Sequence, residues 1–218
     1  MLPVIYRIGL LAGLLSMTAA RSEGAAVDEI VKRVQARYDA TADFIADVTQ
    51  EARIASLDKT VTAKGTVAFK KPGRMRWDLS EGDPQVIVSD GTTLWIYRPE
   101  DKQAIKMPFS QVFRSTTPMS FLTGVGRIAD DFRASLDGQD EKTIELLLLP
   151  KQAGTEVGKL RLTVARDSYD IMRAEVTDPL GNVSKLRFSS LRRNAGLPDD
   201  VFVFQAPPGV DIVTAPAQ

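Results

Sequence analysis

The chain has 218 residues, 44% apolar and 26% charged, a balance that permits a packed core and lies outside the disordered range. Its 28 Lys and Arg offset 28 Asp and Glu, so no bulk charge draws it to nucleic acid or to an anionic membrane. It has no His and no Cys, which removes the imidazole base, the Ser-His and Cys-His nucleophile pairs, the usual zinc ligand sets and any disulfide scaffold. One β-rich domain is expected over residues 27–214, and neither a cofactor nor a metal is implied.

Residues 8–17 are an uncharged apolar run, preceded by Arg7 and followed by Thr18, Ala19 and Ala20. The run is too short to span a bilayer, which takes about 20 apolar residues, and is read as part of a signal peptide. That peptide covers residues 1–20, with cleavage after Ala20 or, alternatively, after Ala26. Export is therefore expected. With no Cys there is no residue to carry the lipid of a bacterial lipoprotein, so the exported chain is expected to be soluble and unanchored.

Val27, Ile30, Val31, Val34 and Tyr38 recur at helical spacing opposite Asp28, Glu29, Lys32, Arg33 and Arg37. This predicts one amphipathic helix whose apolar stripe packs on a sheet. From Phe44 to Trp95 the pattern changes to short alternating runs broken by turn residues, the pattern of strands. Val67 and Phe69 lead into Lys70-Lys71-Pro72-Gly73, after which Met75 and Trp77 alternate with Arg74, Arg76 and Asp78. Pro72 marks an interruption; if the strand runs through it, Lys71, Gly73, Met75 and Trp77 share a face. Next, residues 86–88 and 94–97 flank Asp90-Gly91 and form a hairpin. Both of its strands are apolar on both sides, which predicts cover on both faces. Residues 98–102 turn the chain again into 103–107.

Residues 108–132 break the strand rhythm. Thr117 can cap a helix, Pro118 can take its first position and Gly124 can end it, which predicts one or two short apolar helices inserted mid-sheet. Strands resume at 132–136, turn at Asp137-Gly138, and continue over 143–149, 160–164, 171–177, 183–188 and 201–204, with a further turn at Pro179-Leu180-Gly181-Asn182. Leu160, Leu162 and Val164 alternate with Arg161 and Thr163, as in a sheet with one wet face. Consecutive hairpins predict a mainly β fold with few helices. An antiparallel meander of this many strands must curl or close to hide its edges.

At this point the residues resemble the LolA family. The matching segments are Phe69-Lys70-Lys71-Pro72-Gly73-Arg74-Met75-Arg76-Trp77, then Ile87-Val88-Ser89-Asp90-Gly91-Thr92-Thr93-Leu94-Trp95-Ile96-Tyr97. Thr117-Pro118-Met119-Ser120-Phe121-Leu122 is similar to the family's lid segment, and Phe202-Val203-Phe204-Gln205-Ala206-Pro207-Pro208-Gly209-Val210 to its C-terminal signature. The resemblance implies an incomplete, unclosed antiparallel β-barrel with an N-terminal amphipathic helix and a helical lid inserted mid-sheet. It also implies a periplasmic carrier that takes acylated lipoproteins from an inner-membrane lipoprotein-releasing ABC transporter and hands them to an outer-membrane receptor. Such a carrier acts as a monomer, without catalysis. Where the family often has Arg before the proline, reaching the lid, this chain has Lys71, which keeps the charge and loses the planar fork. Where the family often has an aromatic residue, it has Met75, whose flexible thioether suits an irregular lipid surface.

The candidate acyl-chain site is therefore Met75, Trp77, Trp95, Met119, Phe121 and Leu122, with Lys71 as candidate lid lock. For Trp77 and Trp95 the competing expectation is ordinary core packing; for Met119, Phe121 and Leu122 it is a buried connector. Lys70, Lys71, Arg74 and Arg76 also fit a solvated strand face, as Arg192-Arg193 fits a solvated loop. Asp130-Asp131 and Asp199-Asp200 fit turns and caps better than acid/base dyads, because adjacent side chains on a strand point apart. An alternative within the same fold is an envelope sensor or receptor that binds lipid or lipoprotein without shuttling it. A secreted hydrolase using two carboxylates is the reading from another class, and no suitably spaced pair supports it.

Overall fold

The computed structural model describes residues 15–112, 127–152 and 157–215, with side chains from Gly24 onward except Val112. Helix α1 (Leu15–Asp39) contains the expected amphipathic segment. Val27, Val31, Val34 and Tyr38 form its buried stripe, while Asp28, Glu29, Lys32 and Arg33 face solvent. The helix ends where the Thr41 hydroxyl donates to the Arg37 carbonyl at 2.8 Å, satisfying one of the free carbonyls of the last turn.

Eleven strands follow in two meanders. The first comprises β1 (Asp43–Ile54), β2 (Lys59–Lys70), β3 (Arg74–Glu81), β4 (Gln85–Asp90), β5 (Thr93–Arg98) and β6 (Gln103–Pro108). Short helices α2 (Phe109–Val112) and α3 (Ile128–Asp131) lie in the expected helical insert. The segment expected to form a lid, with Met119, Phe121 and Leu122, lies outside the described residues. The second meander comprises β7 (Phe132–Gln139), β8 (Thr143–Pro150), β9 (Lys159–Ala165), β10 (Ile171–Thr177) and β11 (Val183–Arg193). β11 returns to pair with β1, joining the two meanders. A last strand, β12 (Asp211–Thr214), pairs with β6.

The result is one sheet ordered β12-β6-β5-β4-β3-β2-β1-β11-β10-β9-β8-β7, with β12 and β7 left as edges, so the barrel is not closed. Every pairing is antiparallel except the short parallel one between β12 and β6. A flat sheet of this width would span about 50 Å at about 4.8 Å per strand. Instead one apolar core joins the α1 stripe to β1, β2 and β3 on one side and to β8, β9, β10 and β11 on the other, so the sheet curls around the helix.

Three expectations are corrected. The chain does not run straight through Pro72: it reverses over Lys71-Pro72-Gly73, with Gly73 at φ +67°, and β2 and β3 form a hairpin. Met75 and Trp77 still share a face, with Phe69 opposite Met75 across that turn. Asp137-Gly138 is no turn either. β7 passes through it with a register shift, and the reversal comes at Asp140, whose carboxylate accepts the Lys142 and Thr143 amides at 2.8 and 2.6 Å. Residues 201–204 are not a strand; Asp199–Phe202 form a 3-10 turn that buries Phe202. The terminal strand lies further on, at β12, where alternation gave no signal.

Candidate functional site

Cross-strand register decides which side chains line a surface together. On the face under α1, Ala46 pairs with Val67 and Val67 with Trp77. Trp77 pairs with Ile87, Ile87 with Ile96, and Ile96 with Ile105. These residues make an unbroken apolar row across the first meander. Its burial is graded: Val67 is 0% and Trp77 6% exposed, whereas Ile87, Ile96 and Ile105 are half-buried. A second row runs beside it through Phe44, Phe69, Met75, Ser89, Leu94 and Met107, closed throughout except at Met107.

Aromatic rings tie the packed end of this face to the helix. Tyr38 meets Phe44 edge-on at 6.3 Å, Phe44 stacks on Phe69 at 4.8 Å, and Phe69 meets Trp77 edge-on at 6.3 Å. The Tyr38 hydroxyl accepts the Ile171 amide at 3.4 Å, and burial pushes its pKa up to about 12, so it stays neutral. Trp77 thus stands at a boundary, with core on one side and half-open apolar surface on the other.

Lys71 reaches from the β2–β3 turn to α1, where its ammonium donates to the Tyr38 carbonyl. A cation on a last-turn carbonyl complements the helix dipole. Burial holds the Lys71 pKa below the ordinary lysine value, with the Asp39 carboxylate partly offsetting that shift. The loop after β11 is fixed by Asp43, whose buried carboxylate accepts the Ala195, Gly196 and Leu197 amides at 2.7, 3.2 and 3.3 Å. Asp170 joins the second meander to α1, pairing with Arg37 at 3.2 Å and with Arg193.

Trp95 is not brought together with Met75 and Trp77. It pairs with Val88 and Lys106 in the row that points to the opposite face. There it packs on Phe204 at 5.1 Å, with Tyr97 on the same ring at 5.7 Å. Phe204 belongs to a strap, residues 197–210, that crosses the outer face of β3–β5 before the chain enters β12, and it supplies the second cover expected for β4 and β5. Lys70 donates to Asp199 at 2.5 Å and to the Leu197 carbonyl at 2.6 Å, and Arg76 to the Val201 carbonyl at 3.2 Å. Part of the basic run therefore anchors this strap.

Ile87, Ile96, Ile105 and Met107 were missed as site candidates; the hairpin closes over four residues, Asp90 to Thr93, and that register places Ile87 opposite Ile96 on the Trp77 face. A separate groove of about 330 Å³ lies on the outer face of the second meander, lined by Arg161, Arg173, Glu175, Lys185 and Arg187 among others. Arg161 pairs there with Asp137 at 2.7 Å and with Glu175 at 3.4 Å. That groove is charged and shares no residue with the apolar rows. Among the described residues no helix is long and apolar enough to cross a membrane.

Fold and inner face together define an open-barrel protein with an apolar interior strip. The family model "Outer membrane lipoprotein carrier protein LolA" matches residues 39–205, and the chain belongs to the LolA family. A relative from Dechloromonas aromatica described as "Outer-membrane lipoprotein carrier protein" is 31% identical over 155 residues, covering 71% of this chain and 73% of that one. One of the same description from Chromobacterium violaceum is 28% identical and covers 97% of both chains. A solved structure of an uncharacterized conserved protein from Thermus thermophilus shares the fold at a TM-score of 0.55 and 15% identity, covering 87% of this chain and 99% of that one.

Proposed function

We propose that this protein is a periplasmic carrier of lipoproteins, receiving them from an inner-membrane lipoprotein-releasing ABC transporter and delivering them to an outer-membrane receptor. The observation that carries the reading is the half-buried row Ile87, Ile96, Ile105 continuing from Trp77, within a chain of the LolA family. Residues 1–20 are a cleaved export signal and residues 27–214 the carrier domain. Met75 and Trp77 line the acyl-chain wall with the three isoleucines, and Met119, Phe121 and Leu122 close over it as a lid. Trp95 is left out of this wall because it faces the strap. Lys71 holds the C-terminal end of α1 in place until cargo enters.

The energetics suit a carrier. Each methylene shielded from water contributes about 0.8 kcal/mol, so an acylated anchor gains strongly from an apolar strip. Release still requires a cover that can part, and a cover held by a few polar contacts such as Lys71 on Tyr38 meets that need.

The test mixes the purified mature protein with inner-membrane vesicles that contain the transporter, ATP and a labelled triacylated lipoprotein. Cargo is expected to leave the vesicles as a one-to-one soluble complex that outer-membrane vesicles can then empty. Retention of cargo, with the transporter shown active on a known acceptor, overturns the carrier reading.

A further inference from the structure

Trp77 carries an indole N–H that is fully buried and, among the described residues, has no hydrogen-bond partner. Tryptophan N–H groups normally find a partner when buried, and leaving such a donor unsatisfied costs about 1–3 kcal/mol. A site so costly in the free protein needs an explanation, and its position offers one. Trp77 is the last closely packed residue of its row, 6% exposed, beside the half-buried Ile87 and Ile96. Ser89, the polar side chain in the adjacent row, is committed to the β4–β5 turn, where its hydroxyl accepts the Gly91 amide at 3.0 Å.

An acyl anchor has two chemical parts with different needs. Its hydrocarbon tails need only apolar wall, which the isoleucine row supplies. Its carbonyl groups lose water as the tails go in, and each then needs a donor. We infer that the Trp77 indole N–H donates to an acyl carbonyl oxygen of the bound anchor, setting the depth at which the tails begin. The inference rests on the carrier reading and adds to it a preference for acyl chains over plain hydrocarbon or alkyl ether chains.

The experiment compares a short-chain diacylglycerol with the dialkyl ether of equal chain length, which has the same tails and lacks both carbonyls. The intact protein is expected to bind the ester about five- to tenfold more tightly, the worth of one net hydrogen bond. Trp77→Phe keeps a ring and removes the donor, so the two probes should then bind alike. Should Trp77→Phe not fold, the wild-type protein answers by nuclear magnetic resonance, because its two tryptophans give two indole N–H signals. The ester should move the Trp77 signal downfield and the ether should not, while Trp95, on the other face, stays fixed under both. Equal binding of both probes by the wild type, an ester preference that survives in Trp77→Phe, or an unmoved Trp77 signal overturns the donor role and leaves the carrier reading standing. Binding of neither probe overturns both.

Discussion

Two tryptophans that look alike in the sequence stand on opposite faces of the sheet. Met75 and Trp77 were legible as neighbours because they alternate against Arg74, Arg76 and Asp78, and period two then fixes their common face. Trp95 was not legible, since β4 and β5 are apolar on both sides and alternation gives no inside or outside there. Its partner, Phe204, lies in a strap more than a hundred residues further along the chain. The difference is measurable. Trp95→Ala should lower stability by about 2 kcal/mol through lost ring contact with Phe204, with lipid binding unchanged. Trp77→Glu should abolish lipid binding, because a carboxylate on the apolar wall must be desolvated when the tails arrive. Denaturant titration and a lipid-binding assay on both variants separate the two roles, and loss of lipid binding in Trp95→Ala would return Trp95 to the wall. Lys71→Leu removes the ammonium from the Tyr38 carbonyl, and cargo transfer to a receptor should become faster. Unchanged transfer kinetics in that variant would dismiss the lock.

At the scale of elements, the strands and the helix were readable from periodicity, and the errors fell where a turn signal had two meanings. Asp137-Gly138 serves a register shift in β7, while Pro72-Gly73 makes a reversal that a run of alternating residues disguised. Residues 201–204 look like a strand because Phe202 and Phe204 alternate, yet their apolar groups cap an outer face instead of extending the sheet. What holds that strap is partly ionic. The Asp199 carboxylate is held below its ordinary pKa of 3.8 by the hydrogen bond from Lys70 and then by the nearby charge of Arg74. A depressed carboxylate pKa stabilises the folded state above the unfolded value, and that contribution disappears as pH falls through the folded pKa. The strap should therefore be fully anchored at neutral pH and at pH 5, and loosen only below about 3.8. Near-ultraviolet dichroism of Trp95 against Phe204 reports it. Asp199→Asn should show the loosened signal at neutral pH with the far-ultraviolet spectrum intact, and an unaltered Trp95 signal there would assign the anchoring to Lys70 on the Leu197 carbonyl and Arg76 on the Val201 carbonyl.

The whole molecule is one continuous sheet, and this limits how it can open. β1 and β11 join the two meanders in a ladder from Phe44 opposite Arg193 to Arg53 opposite Val183. Opening the barrel there would break a run of backbone hydrogen bonds at the centre of the sheet, whereas moving a cover breaks only scattered contacts. Those contacts include Lys71 on the Tyr38 carbonyl and the Ile128 amide on the Gln35 side chain at 3.0 Å. The sheet should thus stay rigid while α1 moves relative to α3. The native chain has no cysteine, so crosslinks can be placed cleanly. Thr49 and Arg187 are Cα partners across the ladder, within the spacing a disulfide accepts. The disulfide of Thr49→Cys with Arg187→Cys should leave cargo uptake unchanged. A short bismaleimide joining Gln35→Cys in α1 to Arg127→Cys beside α3 should reduce uptake by at least about tenfold, because it removes the open state from which cargo binds. If the first crosslink blocks uptake and the second does not, the barrel itself must spread, and the division into rigid sheet and movable cover is reversed.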